Sequence, residues 1–91
     1  MSFVLRFTPS GFTAAKYEEV IKQLEAAGAG APKGRSYHVS YGDPENLHVT
    51  DTWDSMEDFQ AFGETLLPIM TSLGLDPGQP NPEQVHNIII G

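Results

Sequence analysis

Ninety-one residues make one small domain, short enough that folding buries only roughly 60–65% of the surface its unfolded chain exposes. Twelve acidic against five basic residues give a net charge of −7 without any basic run, which argues against nucleic acid and against membrane surfaces as partners. Cysteine is absent, excluding disulfides and thiolate chemistry, and neither a signal-peptide pattern nor a run of about 18 apolar residues occurs, so a soluble, cytoplasmic protein is expected.

Residues 2–8 alternate, with Phe3, Leu5 and Phe7 on one side and Val4, Arg6 and Thr8 on the other, the period of a half-buried strand. Pro9-Ser10-Gly11 ends it. Thr13 then caps a helix whose apolar stripe is Tyr17, Val20, Ile21, Leu24 and Ala27, with Phe12 and Tyr17 spaced as a hydrophobic staple and Gly28 as a left-handed stop. A flexible connector over 29–34 leads to a second alternation, Tyr37, Val39 and Tyr41 against Ser36, His38 and Ser40.

Gly42 to Asn46 reads as a hairpin turn into a third strand with Leu47, Val49, Asp51 and Trp53 on one face and His48, Thr50 and Thr52 on the other. If the apolar residues of the two strands share a face, Tyr41 pairs with Leu47 and Tyr37 stands opposite Asp51. A second helix begins at Asp54 or Ser55 with Glu57 or Asp58 closing a capping box, and carries Phe59, Phe62, Leu66, Ile69, Met70 and Leu73 at helical spacing. Pro68 predicts a kink within it, Gly74 its end, the Pro-rich 75–82 stretch an irregular loop, and Gln84 to Ile90 a last apolar strand.

Strand, helix, strand, strand, helix, strand is the order of a ferredoxin-like βαββαβ sandwich, an α+β domain spanning 1–91 with a four-stranded antiparallel sheet and two helices on one face. The face with Phe3, Leu5, Phe7, Tyr37, Val39 and Trp53 is the more apolar and is expected beneath the helices. The reverse face, with Arg6, Ser36, His38, Ser40, His48, Thr50 and Thr52, is then open to solvent or to a second copy of the chain.

The joint Asp51-Thr-Trp53-Asp-Ser55-Met-Glu57-Asp-Phe59-Gln-Ala-Phe62, with the element order and the length, resembles that of the dimeric α/β-barrel superfamily, in particular the small antibiotic-biosynthesis-monooxygenase-like proteins. The resemblance implies a homodimer in which two sheets face one another, and a ligand pocket between each sheet and its helices. It also implies an activity range from cofactor-independent oxygenation of quinols and polyketides to isomerisation, alongside members without assigned activity. Oxygenase-like members often place a histidine near the position of Phe62. The haem-degrading pattern, asparagine on the first strand with histidine on the second helix, is missing, which sets haem chemistry aside.

The residues themselves nominate a pocket of Tyr37, Asp51, Trp53, Phe62, Leu66 and Met70, with Asp51 and Tyr37 as candidate catalytic groups: a carboxylate in apolar surroundings is suited to proton transfer, and an apolar wall with one acid and one phenol suits a flat, weakly polar ring. The alternative for Asp51 is a structural carboxylate bonded to backbone or to a tyrosine hydroxyl. His38 and His48 are expected as diagonal neighbours on the open face, roughly 7–8 Å apart, beside Arg6, and without a third ligand they are read as polar interface residues rather than a metal site. No metal or organic cofactor is expected. Two functions remain open: a small-molecule-binding dimer, as a cofactor-independent monooxygenase or isomerase of a quinol-like or polyketide-like ring, or a non-catalytic oligomeric ligand-sensing or assembly module.

Overall fold

The computed structural model describes residues 2–91, in the order β1 (Phe3–Phe7), α1 (Ala14–Ala26), β2 (Arg35–Asp43), β3 (Asn46–Trp53), α2 (Met56–Ser72) and β4 (Glu83–Gln84). All strand pairings are antiparallel and the sheet order is β2-β3-β1-β4, the ferredoxin-like arrangement. β1 pairs along its whole length with β3, so Phe3 lies beside Trp53, Leu5 beside Asp51 and Phe7 beside Val49. Those partners point toward the helices and, except for half-buried Phe3, are buried.

Local chemistry sets the helix ends. Thr13 accepts a bond from the Lys16 N–H and Ser55 from the Asp58 N–H, each relieving one orphan donor of a first turn, while Phe12 meets the Tyr17 ring edge-on at 5.8 Å. Both helices stop in a Schellman motif: Ala29 N–H reaches Leu24 O and Gly28 N–H reaches Glu25 O, and in α2 Leu75 and Gly74 repeat this with Met70 and Thr71. The glycines adopt φ of 76° and 72°, where a Cβ is strained. α2 runs from Met56 to Ser72 through Pro68. Among the described residues no helix is long and apolar enough to cross a membrane.

Two expectations fail. The hairpin closes through a two-residue turn, Pro44-Glu45, with Asp43 opposite Asn46 and the Glu45 N–H bonded to the Asp43 carboxylate. Turn geometry thereby fixes the register: Tyr41 pairs with His48, not Leu47, and Tyr37 with Thr52, not Asp51. The inward side of β2 is thus His38 and Ser40, while Tyr37, Val39 and Tyr41 take the open face. The last strand, expected over 84–90, is only Glu83–Gln84. It pairs with the first residues of β1, and Val85 N–H reaches Ser2 O just before β1 begins. Among the described residues the strand goes no further than Gln84, and Ile88, Ile89 and Ile90 are exposed.

Candidate functional site

Between the sheet and the two helices lies a cleft lined by Phe12, Tyr17, Val20 and Leu24 from the α1 region, Val49 and Asp51 from β3, Arg35 and His38 from β2, and Phe62, Leu66 and Met70 from α2. Its closed room is about 50 Å³, and the empty space including the open mouth is about 500 Å³. That interior room takes a few waters but not an aromatic ring. A ring-sized ligand therefore has to occupy the open mouth as well as the interior.

Polar groups converge at one point of this apolar wall. Asp51, 4% exposed, is held on the inward face of β3 by the β1 and β2 ladders. Its Oδ1 lies 2.6 Å from His38 Nδ1, directly across the β2–β3 pair, and His38 Nε2 lies 2.7 Å from the Tyr17 hydroxyl. An ionised carboxylate only accepts, so His38 donates from Nδ1 and its Nε2 is free to accept from Tyr17 when the ring is neutral. The second Asp51 oxygen receives a longer bond, 3.4 Å, from Trp53 Nε1. A buried carboxylate is costly without partners, and here imidazole and indole supply them. The result is an oriented chain, Tyr17–His38–Asp51, drawn from α1, β2 and β3, in which a proton leaving or entering at the tyrosine oxygen can be taken up by the imidazole while the carboxylate holds the ring in place.

The residues nominated from the sequence separate into groups. Asp51, Phe62, Leu66 and Met70 line the cleft; Trp53 lies behind it, fully buried, its ring 5.5 and 5.3 Å from those of Phe59 and Phe62. Tyr37 does not belong: it is 60% exposed on the opposite face, because the register turned it away from Asp51. His38 likewise leaves the proposed polar face for the cleft. His48 stays on the open face, edge-on to Tyr41, and Arg6 opposite Thr50 is on that face too, so the two histidines are separated by the sheet. Among the described residues no three His, Cys, Asp or Glu side chains gather as metal ligands. Tyr17 and Arg35 were not nominated. The hairpin holds the missing signal: an Asp43/Asn46 closure around Pro44-Glu45, counted back from inward Leu47, puts His38 inward.

The same fold recurs in solved structures. SnoaB, a cofactor-independent oxygenase from Streptomyces nogalater, is 23% identical, with 97% of this chain and 94% of that one aligned at a TM-score of 0.61. A Chloroflexus aurantiacus protein described as a candidate antibiotic biosynthesis monooxygenase is 19% identical over 99% and 97% of the chains, TM-score 0.60. The fold is that of the antibiotic-biosynthesis-monooxygenase-like proteins. A Nitrosomonas europaea protein of unknown function, 16% identical over 99% and 94% of the chains at a TM-score of 0.53, has it as well. No family model matches the sequence, and no match is found among the curated proteins.

Proposed function

We propose that this chain binds a small aromatic molecule in the cleft and removes a proton from it through Tyr17, His38 and Asp51. The observation that carries this reading is the hydrogen-bond chain opening into a wall that is apolar apart from Arg35: proton transfer needs a polar group poised beside a ring that the rest of the cavity holds by dispersion and desolvation. Removing a proton from an activated ring carbon is the step shared by isomerisation and by oxygenation without a cofactor. In the first the proton returns elsewhere on the ring. In the second the carbanion is oxidised by O₂, so that a ring CH₂ and O₂ yield a ring C=O and water. The similarity in fold to SnoaB supports the oxygenase branch.

9-Anthrone is a suitable probe, since its activated CH₂ reports both branches. In deuterated buffer under nitrogen the protein is expected to accelerate exchange at that carbon, and in air to accelerate conversion to anthraquinone with one O₂ consumed. Exchange no faster than with buffer alone overturns the reading.

A homodimer belongs to the same proposal. The open face carries Tyr37, 60% exposed, and Tyr41, 37% exposed, with Val39 between them on β2 and Val4 two strands away on β1, apolar area of the kind that a second copy covers across a two-fold axis.

A further inference from the structure

A strand places residues three apart on opposite faces, yet Arg35 and His38 both line the cleft. The cause is a β-bulge. Arg35 pairs with Trp53 while Tyr37 pairs with Thr52, so Ser36 is the extra residue, its hydroxyl turned to Thr52. The bulge swings a guanidinium to the side that holds the imidazole. There the Arg35 Cζ lies 5.7 Å from the centre of the Phe62 ring, and Nη2 donates to Gly30 O at 3.2 Å. Five donors on a planar fork are thereby largely unspent, and among the described residues no carboxylate lies within 4.0 Å of it.

The charges of the cleft show what is missing. Among the described residues Asp51 is the only acid lining it, and its oxygens are taken by His38 and Trp53. Once a proton has passed through Tyr17 to His38, the imidazolium is paired with Asp51, and Arg35 is left as a cation without a counter-charge. The group completing that set is the ligand's own conjugate base. Resting on the proposed function above, we propose that the cleft favours a planar aromatic ring bearing an anionic oxygen, whether the enolate formed there or a carboxylate the ligand brings in, and that Arg35 is the residue that selects for that charge. A guanidinium can set two parallel N–H donors on the oxygen or oxygens of such an anion, a fork that a lysine's ammonium does not reproduce.

Isothermal titration with 2-naphthoate and its neutral counterpart 2-naphthamide tests this on the wild-type chain, on Arg35→Gln and on Arg35→Lys. The wild type is expected to bind the anion at least tenfold tighter than the amide. Arg35→Gln abolishes that preference by weakening naphthoate alone, with naphthamide affinity within a factor of two, and Arg35→Lys restores part of it. Equal wild-type affinity for both probes, or a preference that survives Arg35→Gln, overturns the anion assignment alone. Binding of neither probe overturns the proposed function and the assignment with it.

Discussion

At the level of single residues, His38 joins a buried acid to a phenol on another element. Replacing it with glutamine keeps a polar group in the cleft but cannot accept and hand on a proton, so exchange at the anthrone CH₂ should fall by about 10²–10⁴-fold while the thermal transition moves little. Asp51→Ala is expected to do more to the fold. It strands His38 Nδ1–H and Trp53 Nε1–H in a buried place, at a cost of about 1–3 kcal/mol in urea unfolding. Gly34 is a purely structural case: its φ is +88°, and an added Cβ would stand 2.4 Å from Asp58 Oδ2. Since Gly34 O also accepts from Asp54 N–H, Gly34→Ala should unpin the start of α2 and lose roughly 1–3 kcal/mol, read in the same denaturation experiment.

At the level of elements, what could be read from the sequence followed from how local the determinant is. Thr13, Ser55, Gly28 and Gly74 act within a turn of their helices, and the caps stand at those residues. The β1 and β3 alternations turn to the helices the side they predict, because all their large apolar residues but Val4 point the same way. β2 does not follow its own pattern. Its tyrosines and valine are apolar enough to suggest the core, but the Asp43–Asn46 closure and the Ser36 bulge decide the face, and neither is visible in hydropathy. Asp51 is therefore legible as a candidate and its partners are not: the alternation puts His38 on the open face, and Tyr17 reads as a staple residue. Deleting Ser36 tests the role of the bulge. With the extra residue gone, Arg35 pairs with Trp53 in ordinary alternation and stays on the cleft side, so the preference for 2-naphthoate should survive, with circular dichroism checking that the sheet persists.

At the level of the whole molecule, a thin sandwich with aromatic side chains on its uncovered face is poorly insulated as a lone subunit. Sedimentation equilibrium at micromolar concentration is expected to give twice the chain mass. Tyr37→Asp combined with Tyr41→Asp should shift it toward one chain, since like charges would oppose each other across a two-fold axis. A single-subunit mass for the wild type would remove the dimer from the proposal.

Because the phenol end of the proton chain sits on α1 and the other two members sit on the sheet, the conduit is continuous only while that helix stays seated. Helices at the edge of a small domain lift off locally at less cost than global unfolding. Every such excursion would break the wire between Tyr17 and His38, so the protection of α1 amides against hydrogen exchange should track turnover across variants that loosen the helix without touching the cleft.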